Sequence, residues 1–430
     1  MDETKQVVFI GAGSAGIGPL VYAKGAGRLP GYLKRPIAII EKSSQFGSGS
    51  FGDYLINTNS KSELFLECLQ GSRAEHFPRA IGSAAFRILS GQRHLPGAMR
   101  TVGELLEEIG KDVADTIYRS GTSSIMTRTA ATKITTNIDG TFSVDIASES
   151  GASRIHAHNL VLATGGSALR MPHALKRLVS ICSRRARSDL LMLHSGDLLG
   201  AHGYKMAIEE LKKRRGCRAL IIGGGDSAFS AAWLLLQSTE LEFGERGLTV
   251  AYRSTPKVCF DSAERALECG YSEFAKDDIC PQTGIVFRIG GLRHDAKELY
   301  LNITAGREPR VCLKQLDDGL AALAAEDLSD VGVVIFATGY LPTEVPIFDD
   351  SARPIPLLGT FTGKYVDGQG RVIRANGEVF KHMYAIGLCS GYLPMEGGFG
   401  GESSFDGLAN SVALCQTSVG KMIFDQLEQE

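Results

Sequence analysis

Two glycine-rich turns, each preceded by an apolar run, constrain the fold of this chain more than any other feature. Residues 7–16 read VVFIGAGSAG, and residues 219–228 read ALIIGGGDSA. Both have the G-x-G-x-x-G/A spacing of a strand–turn–helix unit that binds a dinucleotide. The first glycine allows the tight bend, the second lets the backbone approach a pyrophosphate, and the third position allows close helix–strand packing. The sequence therefore predicts two dinucleotide-binding units.

The residue that ends the next apolar run differs between the two units. Glu41 follows the run 37–40, whereas Arg253 follows the run 248–252. An acid at this place suits a free ribose 2′-hydroxyl, and an arginine suits a 2′-phosphate. We therefore expect FAD in the first unit and NADP(H) in the second, with hydride passing from NADPH to the flavin. The predicted binding residues are Gly11, Gly13, Ser14, Ala15, Gly16, Glu41 and Lys42 for FAD, and Gly223, Gly225, Asp226, Ser227 and Arg253 for NADP(H).

A second repeated element accompanies the two turns. Residues 160–166, LVLATGG, and 333–340, VVIFATGY, are apolar runs that both lead into Ala-Thr-Gly. The repetition predicts an α/β fold in which one Rossmann-like domain, for NADPH, is inserted into another, for FAD. The predicted boundaries are 1–185, 186–335 and 336–430. Thr164, Gly165, Thr338 and Gly339 either contact the nucleotides or form plain strand-end turns.

Periodicity places other elements in the first unit. Residues 101–116 have helical spacing, with Val102, Leu105, Leu106, Ile109 and Val113 on one face. Three strand-like pieces near 125–133, 141–147 and 153–157 follow, separated by turn residues. Trp233 lies on the apolar face of the helix after the second turn and is expected in the core.

Composition narrows the class of protein. The chain has 430 residues and a formal net charge of −2, which does not indicate a nucleic-acid-binding surface. It has no apolar run of about 18 residues and begins almost at the first strand, so we expect neither a membrane span nor a signal peptide. Its nine cysteines are scattered without a C-x-x-C pair, which predicts reduced thiols in the cytoplasm, no metal site and no disulfide-reductase chemistry.

Several separated motifs resemble those of the class B flavin-dependent monooxygenases. Residues 336–340, FATGY, resemble the (L/F)ATGY motif of the N-hydroxylating branch. Residues 57–63, NTNSKSE, resemble the Asn-Ser/Thr-Ser-Lys-Glu stretch of flavin-containing monooxygenases, and residues 194–197 resemble the His-Ser element that leads into their NADPH domain. The similarity covers most of the chain. The Baeyer–Villiger fingerprint is absent, and this absence argues against oxygenation of a ketone.

The resemblance implies an enzyme that uses NADPH, FAD and O₂ to oxygenate a small soluble substrate through a C4a-(hydro)peroxyflavin. Its N-hydroxylating branch implies oxygenation at an amine nitrogen. In the family an asparagine of this stretch lies over the flavin and contacts NADP. Asn59 fits by its following Ser-Lys, and Asn57 fits if one residue is inserted; the alternative is that both form turns. Two other functions stay open: an NADPH-linked flavin reductase or oxidase without oxygen insertion, and a regulatory flavoprotein of low turnover.

Departures from the family pattern lie near the C-terminus. Where many two-nucleotide flavoproteins have Gly-Asp beside the flavin, this chain has Gly387-Leu388, which the resemblance still assigns to the FAD site. The tract 396–404, EGGFGGESS, matches no pattern of the family, and Glu396 and Glu402 are either amine-binding acids or loop charges. The sequence leaves open the substrate, the oxygenated atom and whether the chain forms a homo-oligomer.

Overall fold

The computed structural model describes residues 4–168, 190–213, 217–281, 283–316, 331–362, 364–391 and 411–429. Its strands are β1 (Lys5–Ile10), β2 (Ile37–Ile40), β3 (Asn57–Lys61), β4 (Pro96–Ala98), β5 (Ser124–Met126), β6 (Thr129–Thr136), β7 (Phe142–Ser148), β8 (Gly151–Leu162), β9 (Gly166–Ala168), β10 (Leu191–His194), β11 (Arg218–Ile222), β12 (Leu248–Tyr252), β13 (Val311–Gln315), β14 (Val331–Phe336), β15 (Tyr340–Pro342), β16 (Ile347–Phe348), β17 (Arg371–Ile373) and β18 (Val379–Ala385).

Helices connect and cover these strands. They span Gly18–Gly25, Leu29–Tyr32, Ser62–Phe65, Pro78–Gly82, Ala84–Gly91, Met99–Ser120, Ser195–Leu199, Ala201–Lys212, Asp226–Leu236, Ala263–Glu268, His294–Thr304, Gly359–Thr362, Val412–Gln416 and Ser418–Gln429. Short 3-10 turns cover Phe51–Asp53, Glu67–Leu69, Gly71–His76, Lys276–Asp278 and Gly387–Ser390.

The first sheet combines a parallel part with an antiparallel meander. Its order is β16-β6-β7-β8-β1-β2-β5, and β18 pairs in parallel with the C-terminal end of β8. One face packs on the helices Gly18–Gly25, Met99–Ser120 and Ser418–Gln429. The predicted apolar face of the long helix, from Val102 to Val113, is fully buried. The helix ends at Ser120, and Gly121, with a positive φ of 69°, is its C-cap.

Strand β8 differs from the sequence expectation. The pieces predicted near 153–157 and 160–162 form one strand of twelve residues, Gly151–Leu162. Its N-terminal half pairs antiparallel with β7, and its C-terminal half pairs in parallel with β1 and β18. The piece predicted near 125–133 is instead two strands, β5 and β6, because Arg128 between them has a positive φ of 50°. Such a residue interrupts regular strand geometry.

The second sheet is parallel throughout, in the order β10-β14-β11-β12-β13. Its described strands all lie between Leu191 and Phe336, whereas strands of the first sheet lie on both sides of this segment. The insertion of one α/β unit into another, predicted from the repeated motifs, is therefore present. The residue-level boundaries 1–185, 186–335 and 336–430 remain predictions.

A two-stranded ribbon connects the two units. β9 follows the first Ala-Thr-Gly, β15 follows the second, and the two strands pair antiparallel, with Ser167 opposite Leu341. The strand on which the chain leaves the first domain and the strand on which it returns thus lie side by side. The repeated motifs indicated two strand ends but not that the strands after them pair.

Candidate cofactor and interdomain site

The two glycine turns have the same geometry. A β-carbon on Gly11 would lie 2.2 Å from the carbonyl oxygen of Ala163, and one on Gly223 would lie 2.3 Å from that of Ala337. Both glycines also have positive φ, 102° and 147°. Each Ala-Thr-Gly strand end therefore lies against the first glycine of a fingerprint. This contact explains why both features occur twice in the sequence.

The other glycines of the turns divide into two kinds. A β-carbon on Gly16 would lie 2.1 Å from the Gly11 carbonyl oxygen, so Gly16 is required by the turn itself. At Gly13 the nearest described atom would be the Gly49 α-carbon at 3.6 Å, and at Gly225 no described atom lies within 4 Å. The fold does not require glycine at these two positions. Open space beside a strand–helix turn is what a pyrophosphate needs in order to approach the backbone.

Glu41 lies where the sequence predicts the ribose-binding acid. It is buried at the carboxyl end of β2, and its Oε2 accepts a 2.7 Å hydrogen bond from the Ala12 N–H. The Ser43 N–H donates to Oε1 at 2.8 Å. Each carboxylate oxygen keeps acceptor capacity, because an ionised carboxyl has about four lone-pair sites. Glu41 is thus held in place beside the first turn and can accept from ribose hydroxyls.

Two other residues assigned to the FAD site lie differently. Gly387 has a positive φ of 78°, and its α-carbon lies so close to the first turn that an added β-carbon would be 2.7 Å from that of Ala15. The structure therefore brings Gly387 to the predicted site. The Thr164 hydroxyl donates to the Thr343 carbonyl oxygen in the segment after the ribbon. This contact supports a structural role for Thr164 in the strand-end turn.

Arg253 immediately follows β12, beside the second turn. Its neighbours Tyr252 and Ser254 both approach Gly224, at 2.9 Å and 3.3 Å from the position of an added β-carbon. The Arg253 side chain is exposed. Within the described ranges no hydrogen bond or ion pair engages its guanidinium, so it is available to an anionic ligand. At the carboxyl ends of the neighbouring strands β10 and β14, the His194 imidazole Nε2 lies 3.4 Å from the carbonyl oxygen of Gly339.

Asn57 and Asn59 lie at the boundary between the two domains. The Asn57 amide donates a 2.8 Å hydrogen bond to Asp295 Oδ2, and the Asn59 side chain hydrogen-bonds Asp226. Asp226 begins the helix of the second turn, and it also accepts from the Arg293 backbone N–H. Burial raises the pKa of Asp226 to about 6. The structure therefore holds both asparagines against the NADPH domain.

A polar pocket surrounds these contacts. Its other lining residues include Ser230, Trp233 and Ala296. Trp233, expected in the core from its position on an apolar helix face, is only partly buried against that core and also lines the pocket. Asp295 and Arg293 were not indicated by the sequence, because they belong to none of the recognised motifs. The alternation of Asn57, Thr58 and Asn59 was the available signal, since alternate residues of a strand share a face.

The tyrosine of the FATGY motif lies at the same boundary. The Tyr340 ring meets the His194 ring edge-on, with centroids 5.1 Å apart. Burial raises the pKa of the Tyr340 phenol, whose hydroxyl hydrogen-bonds Tyr54 of the first domain. Tyr54 also forms an isolated bridge with Gly200. The motif residue therefore takes part in the contact between the domains.

Other sequence features fall outside the described residues, including the tract 396–404 with Glu396 and Glu402, and Cys182. The remaining eight cysteines are free thiols. Among the described helices, none is both long and apolar enough to cross a bilayer.

Comparison with known proteins identifies the architecture. The chain is 28% identical over 438 residues to the CMP-5′-(3-aminopropyl)phosphonate hydroxylase of Streptomyces rubellomurinus, covering 98% of this chain and 96% of that protein. The structure matches an ornithine N-hydroxylase of Kutzneria sp. 744 over 99% of both chains, with a TM-score of 0.58 and 16% identity. The chain has the fold of the class B flavin-dependent monooxygenases. The resemblance predicted from the sequence motifs is thereby confirmed.

The same comparisons bear on cofactors and on the alternatives. The Kutzneria structure contains reduced FAD, NADP⁺ and L-ornithine, so this oxidoreductase fold accommodates both predicted cofactors. The bacillithiol disulfide reductase of Bacillus cereus also shares the architecture, with a TM-score of 0.50, 15% identity and full coverage of both chains. The fold alone therefore does not separate a monooxygenase from a reductase. No family model matches the chain.

Proposed function

We propose that this protein is an FAD- and NADPH-dependent monooxygenase that transfers one oxygen atom from O₂ to a small soluble substrate, by N-hydroxylation of an amine. The observation that carries the proposal is the pair of matched turns with opposite charges beside them, Glu41 at the first and Arg253 at the second. The full-length similarity to a hydroxylase favours oxygen insertion over reduction alone.

The first turn fits FAD. Gly13 leaves space for a pyrophosphate, and the Ala12 N–H fixes Glu41 beside this turn, where its carboxylate can accept from ribose hydroxyls. Gly387 closes against the turn from the C-terminal part of the chain, at the place that the family resemblance gives to the flavin side of the cofactor. In the FAD-bound protein, the flavin supplies hydride acceptance and activation of O₂. Residues of this chain bind and orient that group.

The second turn fits NADPH. Gly225 is the N-cap of the helix Asp226–Leu236, and no described atom lies within 4 Å of a β-carbon built on it. A pyrophosphate can therefore approach the free N–H groups of the first helical turn. Arg253 presents an unengaged guanidinium for the 2′-phosphate. We assign Asp226, Ser227, Thr338 and Gly339 to the edges of this site. Asn57 and Asn59 lie between the two cofactor sites, where an amide can donate and accept without titrating.

Two similar proteins support a choice of substrate class. One has an aminopropyl group on a CMP-linked phosphonate in its name, and the other was solved with L-ornithine. Both compounds carry a primary aliphatic amine. We propose such an amine as the substrate here, and we expect the reaction to take place in the cytoplasm.

The test is turnover of purified, FAD-loaded protein with NADPH and a panel of amines. The panel of L-ornithine, L-lysine, cadaverine, 3-aminopropylphosphonate and CMP-5′-(3-aminopropyl)phosphonate covers free and nucleotide-linked amines. The proposal predicts that at least one amine increases NADPH consumption and gains one oxygen atom by mass spectrometry. NADPH oxidation that yields only H₂O₂ with every amine indicates the reductase or oxidase. Negligible NADPH oxidation across the panel indicates the regulatory flavoprotein.

A further inference from the structure

Strand β3 has one face toward each domain. Thr58 is buried in the first domain, where its hydroxyl accepts a 3.2 Å hydrogen bond from the Gly97 N–H. Asn57 and Asn59, one residue away on either side, direct their amides to Asp295 and Asp226 of the second domain. The alternation of side chains along a strand produces this division. β3 is therefore tied on both sides by hydrogen bonds.

The two aspartates belong to helices that pack on each other. Asp226 starts the helix Asp226–Leu236, and Asp295 is the second residue of the helix His294–Thr304. The rings of Phe229 and Tyr300, one from each helix, meet edge-on with centroids 5.5 Å apart. A displacement of one helix relative to β3 therefore displaces the other. The first helix carries the proposed NADPH turn.

From these contacts we infer that Asp226 and Asp295 are positioning residues, which hold Asn59 and Asn57 and thereby fix the NADPH-binding helix relative to the FAD domain. We call the pairs Asn57–Asp295 and Asn59–Asp226 the interdomain latch. The kinetic part of this inference rests on the proposed function, because it requires that NADPH bound at this helix reduces a flavin bound in the first domain. Hydride transfer depends steeply on that geometry, because about 1 Å of misplacement costs on the order of a hundredfold in rate.

A reciprocal exchange tests the latch at the Asn57–Asp295 pair, whose hydrogen bond is 2.8 Å long. Asn57→Asp alone places two carboxylates opposite each other, and Asp295→Ala alone removes the acceptor. The double variant Asn57→Asp/Asp295→Asn keeps the net charge and the bond but reverses donor and acceptor. Glu298→Ala is the matched control, since Glu298 lies exposed on the same helix one turn further on.

Two measurements on FAD-loaded protein read the outcome. In hydrogen exchange, peptides covering 56–62 and 293–297 should exchange about tenfold faster in Asp295→Ala and return to the wild-type rate in the double variant. In anaerobic stopped flow, the limiting rate of flavin reduction by NADPH should fall about tenfold or more in both single variants. In the double variant this rate should be at least about threefold higher than in Asn57→Asp, because the bond to residue 295 is restored, with the dissociation constant of NADPH changing much less.

The opposing results are equally defined. Wild-type exchange and reduction in Asp295→Ala would overturn the inference, as would a double variant no better than Asn57→Asp while Glu298→Ala is normal. Failure of the proposed function is distinguishable, because hydrogen exchange needs no turnover. If the wild type oxygenates no amine but the variants show the predicted exchange pattern, the latch inference stands and the proposed monooxygenase function fails.

Discussion

The amide of Asn57 donates a 2.8 Å hydrogen bond to the carboxylate of Asp295 across the boundary between the two nucleotide domains. The family resemblance places an asparagine of this stretch over the flavin, whereas the structure shows that both candidates already have acidic partners on the NADPH side. An amide held by a carboxylate is fixed in orientation. The two descriptions agree if the aspartates orient the amides and the amides then face the bound cofactors.

Replacing Asn57 or Asn59 by Ala separates the two roles. If an amide supports the oxygenating form of the enzyme, the variant should release more H₂O₂ relative to product, while the protein stays folded. If the amide acts only through the latch, flavin reduction by NADPH should slow and the ratio of product to NADPH consumed should hold. Coupling, reduction rate and thermal midpoint are measured together for both variants. Unchanged values in all three would remove Asn57 and Asn59 from the site.

Arg253→Ala should change the choice of nicotinamide cofactor. A charge-assisted contact to the 2′-phosphate is worth about 1.5–3 kcal/mol, or roughly tenfold to a hundredfold in affinity. The KM for NADPH should rise by that factor and the KM for NADH should stay nearly the same. Arg307→Ala serves as the control, because Arg307 is exposed in the same domain and bonds Asn302. Equal losses with both cofactors would contradict the assignment of Arg253.

Substitutions at four glycines separate folding from cofactor binding. Gly13→Val should give folded protein without FAD, because the fold leaves room at Gly13 and the pyrophosphate needs that room. Gly225→Val should give yellow protein that NADPH does not reduce under anaerobic conditions. Gly16→Val and Gly223→Val should instead lower the thermal midpoint or prevent folding, since their β-carbons would meet backbone atoms. A Gly225→Val protein that loses FAD while Gly13→Val retains it would reverse the order of the two sites.

Asp226 gives stability a specific pH dependence. Its carboxyl is enclosed, Oδ1 has no hydrogen-bond partner among the described residues, and burial raises its pKa to about 6. Three contributions lower the pKa of Asp226 and so oppose this shift: the Arg293 backbone N–H, the Arg293 charge and the Asn59 side chain. The charge of Asp295 raises this pKa further. Because the folded state binds the proton more tightly, this carboxyl stabilises the fold less as the pH rises from about 4 to about 6.

Asp226→Asn should remove this dependence. Relative to the wild type, the variant should gain roughly 1–3 kcal/mol in the free energy of unfolding between pH 4 and pH 7. Urea unfolding at several pH values measures the difference, and Asp277→Asn, at an exposed position in the same domain, is the control. A constant difference between variant and wild type across this range would show that the Asp226 carboxyl has an ordinary pKa.

The sequence predicted the parts of the fold that depend on local pattern. The glycine turns, the buried strands before them and the long amphipathic helix are each specified within about twenty residues. Glu41 and Arg253 could be predicted for the same reason, because each follows a strand that lies next to a glycine turn in the sequence. The internal repeat also predicted that one unit is inserted into the other.

Contacts between distant residues were not predictable in this way. Asn57 and Asp295 are 238 residues apart, and the neighbourhood of Asp295 has no motif that assigns it a partner. The same holds for the β9–β15 ribbon, which is defined by pairing rather than by periodicity. Strand β8 was divided in the prediction because its two halves have different partners and therefore different patterns of apolar residues.

Labelled oxygen tests directly whether this protein inserts oxygen into an amine. FAD-loaded wild-type protein is supplied with NADPH, ¹⁸O₂ and the amine from the panel that most increases NADPH consumption, and the product is analysed by mass spectrometry. We expect one ¹⁸O atom on the amine nitrogen for most of the NADPH consumed, with little H₂O₂. NADPH consumption that produces H₂O₂ in equal amount, with no labelled product from any amine, would contradict the proposal of a monooxygenase.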